Sequence, residues 1–420
     1  MIPSLADHHI HLLALAAQSN SIQCGPPGVN TAAEFIAVLN SDKTGSGWLR
    51  GVGYHESVAG LIDRHWLDEH GPARPVRIQH RGGRMWVFNS VAIARLDATG
   101  VAFPLDFDWH RGQLFDEDPW LRRALGSQPP DLAAVSRELA SYGVAIVTDM
   151  TPQNGDEIVS FFRSQQKSGK LLQRVMIAGL LVQKEWAKTG DVSGGGLAMG
   201  PYKLHLHEAH LPEFDEICDA VRISHIGNRP IAVHCVTRIE LVFCIAVLEE
   251  VGAIPGDRIE HASVAPPDLL GRLKSLGVVV VTQPNFIAER GDQYLTDMEE
   301  EEISWLYRCR SFAEAGIPVA AGTDAPFGHP DPWRAIRAAV SRKTRRGHTI
   351  NVEESLSPEL ALGLFLGRLA SPDIAREITV GAEADLCLLA RPWHEARKIL
   401  TSDLVRATWC GGELIFNRID

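Results

Sequence analysis

From about residue 143 onward the chain repeats one pattern: a short run of valine, isoleucine or leucine, a longer stretch with helical periodicity, then another short run. The runs are GVAIVTDM (143–150), LLQRVMIAGL (171–180), PYKLHLH (201–207), RPIAVHC (229–235), DRIEHA (257–262), GVVVVTQ (277–283) and IPVAAGTD (317–324). Runs that are apolar nearly throughout, without polar alternation, predict strands buried on both faces, as in parallel sheets covered by helices. The stretches between them, such as Pro212–Ile226 and Arg238–Val251, predict amphipathic helices. Strict alternation of the two element types predicts a parallel α/β fold. SLADHHIHLL near the N-terminus supplies an eighth strand. Eight units favour a closed (β/α)8 TIM barrel over an open sheet. No GxGxxG opens a helix after a strand, which counts against a dinucleotide fold.

A bare barrel needs about 250 residues, and this chain has 420. The barrel is expected over residues 1–375, interrupted by an insertion at about 20–140 that has its own elements (TAAEFIAVLN, GWLRGVGYHES, RPVRIQHRGG, MWVFNSVAIARL, DLAAVSRELASYG) and is expected to cap the barrel mouth. Residues 376–420 differ: GAEADLCLLA and DLVRATWCGGELIFN, with a Gly411–Gly412 turn, predict antiparallel strands in a small sandwich-like β-domain.

A net charge of −11 argues against nucleic acid or an anionic membrane surface as partner, which leaves a small-molecule substrate. No apolar stretch reaches the roughly 20 residues of a membrane-spanning helix. MIPSLADHHIHLL carries histidines and an aspartate where a signal peptide is apolar, so the expected location is cytoplasmic. The seven cysteines are scattered and none forms a CxxC pair, which fits reduced buried thiols.

Polar residues interrupt the buried strands at particular places. His9 and His11, two apart at the end of the first strand, share a side of it, and Asp7 has the same parity. Lys203 sits in the fourth strand, while His234, His261 and Asp324 end the fifth, sixth and eighth. Each is costly in a buried strand unless paired or bound to a metal. Catalytic groups of such barrels lie at the C-terminal strand ends. His and carboxylate ligands suit zinc first, and Fe, Mn or Ni as well. A carboxylate such as Asp324 can act as general base and then as general acid.

The ordered set His9-x-His11, Lys203, His234, His261 and Asp324 resembles the amidohydrolase superfamily. RPVRIQHRGGRMWVFNS, GDRIEHASV, VTQPNF, AGTDAPFGHPDPW and GAEADLCLL look like its branch called amidohydrolase family 3, over nearly the whole chain. The resemblance implies a TIM barrel with a β-sandwich, and hydrolysis of amide or related C–N bonds by a metal-activated hydroxide with Asp324 as general acid/base. It implies one or two divalent metals per chain: His9, His11 and Asp324 on one, His234 and His261 on the other, and a carboxylated Lys203 as bridge. His205 and His207 share the parity of Lys203, and either can replace it or meet substrate. Family members carry a length of sandwich before the HxH strand. Here the motif begins at His9, so a partial sandwich is expected, and an exposed strand edge leaves room for a homodimer. Many relatives have a histidine where this chain has Arg84.

Further substrate contacts are expected from His80, Arg81 and Arg84 in the insertion, an arginine being suited to a carboxylate. Trp333 and Tyr294 are placed to stack on a ligand. Two alternatives to the hydrolase stay open: a mononuclear deaminase of the same superfamily, disfavoured by Cys235-Val236-Thr237 where a glutamate follows the fifth-strand histidine in such enzymes, and a catalytically silent barrel that only binds.

Overall fold

A computed structural model describes residues 1–19, 21–41, 47–181 and 196–418 of the chain. All eight expected strands form: β1 (Leu5–Ile10), β2 (Val144–Asp149), β3 (Arg174–Gly179), β4 (Leu197–His205), β5 (Ile231–Cys235), β6 (Arg258–His261), β7 (Val279–Thr282) and β8 (Val319–Ala321). They lie parallel and in sequence order within one sheet. Just past the ends of β1 and β8 the barrel closes. The amide of Asp324 donates to the carbonyl of His9 at 2.7 Å, and the amide of His11 to that of Ala325 at 2.8 Å. Gly322 makes this approach feasible, since a Cβ there would lie 2.4 Å from the backbone nitrogen of His9.

Helices α1 (Ala133–Ser141), α2 (Phe214–Ile226), α3 (Arg238–Val251), α4 (Asn285–Asp297) and α5 (Pro332–Ser341) belong to this unit. The α3 helix shows why the boundary falls where it does. The Thr237 hydroxyl accepts from the amide of Glu240, and the Glu240 carboxylate accepts from the amide of Thr237, a reciprocal cap. Leu241, Cys244, Ile245 and Leu248 of α3 then pack with Ile231, Val233, Cys235, Ile259 and Val280 of the strands. Each such buried side chain contributes about 1.5–3 kcal/mol. Because alternate strand residues face opposite sides, sending Val233 and Cys235 outward to the helices leaves His234 on the inside.

Two compact units result, one of Met1–Leu12 with Asp131–Asp420 and the other of Leu13–Pro130. The insertion therefore ends earlier than about 140. The α1 helix goes with the barrel because Leu139 and Ala140 are buried there, and the Ala140 carbonyl accepts from Thr408. The second unit has a five-stranded mixed sheet in the order Ile22–Gln23, Leu49–Tyr54, Val76–His80, Met85–Phe88, Gln113–Phe115, with its own cores around Phe35 and Tyr54 and around Trp86 and Trp120.

The small antiparallel sheet forms as expected from Leu386–Leu389, Val405–Cys410 and Glu413–Asn417, and it gains Ile2–Pro3 at one edge. Two residues are too few to register as a strand in a sequence pattern. Among the described residues all seven cysteines are free, and six of them are buried. No helix is long and apolar enough to cross a membrane.

Candidate metal centre

His9 and His11 leave β1 toward the inside of the barrel, where Asp324 meets them. The Nε2 atoms of His9 and His11 lie 3.5 and 3.2 Å from Asp324 Oδ1. One ligand atom from each of the three residues lies within 4.8 Å of the others. The His261 ring centroid is 4.7 Å from that of His9 and 4.4 Å from that of His234. Two imidazoles thus adjoin one carboxylate, and His261 and His234 continue the cluster ring against ring.

Backbone conformation contributes to this convergence. On a regular strand Glu260 and His261 would face opposite sides. His261 instead has φ 70° and Asp324 φ 55°, in the left-handed region that costs a non-glycine residue about 1–3 kcal/mol. The bend at the end of β6 lets His261 join Glu260 on the inside.

The rings are oriented from behind. The Nδ1 of His9 lies 2.5 Å from Glu260 Oε2, that of His261 2.6 Å from Gln283 Oε1, and that of His11 3.1 Å from Thr151 Oγ1. A carboxylate and an amide oxygen only accept, so Nδ1 of His9 and of His261 carries the hydrogen and Nε2 keeps its lone pair. His261 Nε2 and Lys203 Nζ are buried and have no hydrogen-bond partner. Burial pushes the imidazoles of His9 and His234 below the ordinary range and that of His261 down to about 3, which keeps them neutral. Burial also pulls the Lys203 ammonium down to about 8. For Asp324, burial raises the carboxyl, but the hydrogen bond with His11, helped by the neighbouring His9 and His261, outweighs it and holds the group well below the usual carboxylate range. Neutral lone-pair nitrogens around an ionised carboxylate, with orphaned atoms among them, fit a divalent cation.

Residues 1–416 match the profile of the amidohydrolase family. The chain belongs to the amidohydrolase family. An N-substituted formamide deformylase of Arthrobacter pascens is 23% identical over 439 residues, covering 87% of this chain and 78% of that protein. A putative amidohydrolase of Bacillus subtilis strain 168 is 21% identical over 448 residues, covering 93% of this chain and 84% of that one. The crystal structure of an uncharacterized metal-dependent hydrolase from Pyrococcus horikoshii OT3 shares the fold, with TM-score 0.67 and 22% identity, over 86% of this chain and 79% of that one.

Other expected site residues of this amidohydrolase fall in different places. His205 is exposed at the end of β4 and lies against His234, with ring centroids 4.0 Å apart. His207 sits outside the cluster. Its Nδ1 accepts from the amide of Ala209 and caps a short 3-10 turn. Trp333 is not a ligand contact. It is fully buried on α5, and its indole donates to the carbonyl of Tyr142, which precedes β2 at the end of the barrel opposite the histidines. Asp7 accepts from the amides of His9 and Thr323, and burial raises its carboxyl to about 7.

His80, Arg81 and Arg84 belong to the second unit. Arg84 forms a two-pronged ion pair with Asp116, and the amide of Arg81 donates to the Tyr54 carbonyl. His80 Nε2 lies 3.2 Å from Glu56, and His55 completes a group of ligand-type residues. The amides of Ser57 and Gly82 donate to Nδ1 of His55 and His80, however, so Nε2 of each carries hydrogen toward Glu56. That is a hydrogen-bonded carboxylate cluster, the reverse of the lone-pair arrangement in the barrel.

Sequence reasoning passed over Glu260, Gln283 and Thr151. The signal was present for the first two, since each is a polar residue in or ending a buried strand. Glu260 is tied to Arg258, which also donates to the His8 carbonyl at 2.6 Å. The Arg258 charge and the hydrogen bond from His9 hold the Glu260 carboxyl well below its usual range against the effect of burial. Glu260→Gln is expected to weaken metal affinity about 10–100-fold and to cost about 3–5 kcal/mol of stability by leaving Arg258 buried without its partner. Competition with a fluorescent chelator and thermal unfolding check the two effects. Wild-type affinity in the variant would remove Glu260 from the support of His9.

Proposed function

We propose that this amidohydrolase cleaves a carbon–nitrogen bond other than a peptide bond in a small molecule: a formamide, N-acyl, carbamoyl or cyclic amide. The observation that carries this reading is the gathering of Nε2 lone pairs, set by Glu260 and Gln283 behind them, around the ionised Asp324. The likeness to a formamide deformylase supports the choice of bond.

His9, His11 and Asp324 would hold one cation, and His234 and His261 a second, with Lys203 between them as a carbamate. Such cations supply Lewis acidity and lower the pKa of water toward about 7. Carbamate formation needs a neutral amine, and burial brings the Lys203 ammonium to about 8, so the neutral form is accessible near physiological pH. Asp324 takes a proton from the attacking water and delivers it to the departing nitrogen, which cannot leave as an amide anion. His205, exposed beside His234, is positioned to meet the substrate.

The deaminase reading is disfavoured by Cys235-Val236-Thr237, which follow His234 where such enzymes carry an acid. The nearest carboxylate in sequence, Glu240, accepts from the amides of Val236, Thr237 and Glu208 and is used up as a cap.

Three measurements on purified protein test the proposal: metal content, intact mass under native conditions, and turnover of a panel of formamides, N-acyl amines, ureides, cyclic imides and aminopurines. Two cations, a mass increment of one CO2 removed by Lys203→Met, and turnover within the amide members are expected. One cation with ammonia released from an aminopurine gives the deaminase. A folded chain that retains no divalent cation returns the protein to the binding-only reading.

A further inference from the structure

The loop after β8 and the helix after β7 present a cation that the hydrolytic chemistry does not use. Arg290 lies on the inward side of α4, four residues after the buried Phe286, and its guanidinium rests 3.9 Å from the Phe286 ring centroid. No carboxylate lies within ion-pairing distance of it among the described residues; the neighbouring Glu289 accepts from the amide of His329. One donor is used, from Nη2 to the carbonyl of Phe327 at 2.8 Å. The ring of that same Phe327 packs edge-on to His11, centroids 5.4 Å apart, so a single residue separates the guanidinium from a metal-site imidazole.

The buried arginines of this unit have more of their donors engaged. Arg342 donates to three carbonyls, Arg229 to four, and Arg258 to Glu260 and the His8 carbonyl. An arginine has five N–H donors. Arg290 is only partly buried, and the bond to Phe327 is the one hydrogen bond its guanidinium makes among the described residues, which leaves donors for an incoming group. One turn along α4, the Tyr294 hydroxyl adds a second polar atom on the same face, paired with Tyr307 at 3.0 Å. Asp324 lies within the electrostatic reach of Arg290, but its carboxylate is directed at His9 and His11.

We infer that Arg290, with Tyr294 beside it, receives a carboxylate on the substrate, so that the preferred substrates are amides carrying an acidic group, such as N-acyl amino acids. This rests on the hydrolase reading and narrows it. A planar guanidinium held against an aromatic ring is suited to a carboxylate, with which it can form two parallel hydrogen bonds.

The test compares matched substrates on the metal-loaded enzyme: N-formyl- and N-acetylphenylalanine (both enantiomers) against N-formyl- and N-acetylphenethylamine, which lack only the carboxylate. The wild type is expected to favour the acidic member. Arg290→Met is expected to lower kcat/KM for that member about 10–100-fold, mostly through KM, and to leave the neutral member within about twofold. Arg290→Lys, which keeps the charge, is expected to recover part of the loss. Calorimetric titration with unreactive 3-phenylpropionate and with 3-phenylpropanol reads the same contact without turnover, and only the anion's binding should weaken in Arg290→Met. Equal turnover of acidic and neutral members, or an equal loss for both in the variant, overturns the proposal and leaves the hydrolase standing. Arg290-dependent binding of the anion with no hydrolysis of any member, nor of the wider amide panel above, upholds the carboxylate site and removes the hydrolase reading.

Discussion

Asp324→Asn is expected to lower kcat by about 10²–10⁴-fold on any substrate the enzyme turns over and to reduce bound metal. The carboxylate does two things the carboxamide cannot. It offers an anionic oxygen 3.2 Å from His11 Nε2 and 3.5 Å from His9 Nε2, where a cation would share it. It also accepts and returns a proton, and the surrounding histidines keep it ionised for that task. Asparagine preserves size and the backbone hydrogen bond to His9 that closes the barrel, so circular dichroism and the melting temperature of the metal-free protein should stay close to wild type. This separates chemical loss from misfolding. Measuring kcat with the variant saturated in metal separates proton transfer from ligation. A metal-saturated variant within about tenfold of wild type would take Asp324 out of the proton path.

Much of the barrel was legible because its physics is local. Each strand is buried on both faces, so it reads as a short apolar run, and each helix repeats at its own period. Arg238–Val251 is bounded in the structure as the pattern places it, since Thr237 and Glu240 form a cap in the sequence itself. The candidate ligands were legible for a related reason: an imidazole or carboxylate at the end of such a run is costly unless something binds it. What escaped lies in contacts that sequence proximity cannot carry. Glu260 supports His9 from 251 residues away, and Gln283 supports His261 from the next strand. The inward turn of His261 depends on a left-handed φ that no neighbouring residue announces. Trp333 was misplaced because an aromatic just after the β8 loop has the same signature whether it faces a ligand or, as here, reaches the far end of the barrel. The insertion was legible as elements but not as a sheet. Its mixed topology has three parallel strands, then two antiparallel ones, an arrangement set by pairing and not by pattern.

Removal of metal by a strong chelator is expected to abolish turnover and to lower the melting temperature of the barrel unit, both reversed by adding back zinc or another divalent cation. The stability effect follows from what the cation leaves behind. His261 Nε2 and Lys203 Nζ are buried without partners, and a buried polar atom left unmet costs about 1–3 kcal/mol. Burial keeps the imidazoles of His9, His234 and His261 neutral, so the emptied site does not regain stability by protonating them near neutral pH. A cation that binds only the folded chain adds about 4 kcal/mol at a free concentration a thousand times its dissociation constant. For a unit of this size that corresponds to a rise on the order of 5–10 °C. The increment should grow logarithmically with free metal, should be largely absent in Asp324→Asn, and should persist in Arg290→Met, since Phe327 stands between the Arg290 guanidinium and His11. A scanning-calorimetry series in buffered free zinc reads all three. If the melting temperature is the same with and without metal in the wild type, the imidazoles are not a metal site, and their shared orientation by Glu260 and Gln283 must serve some other end.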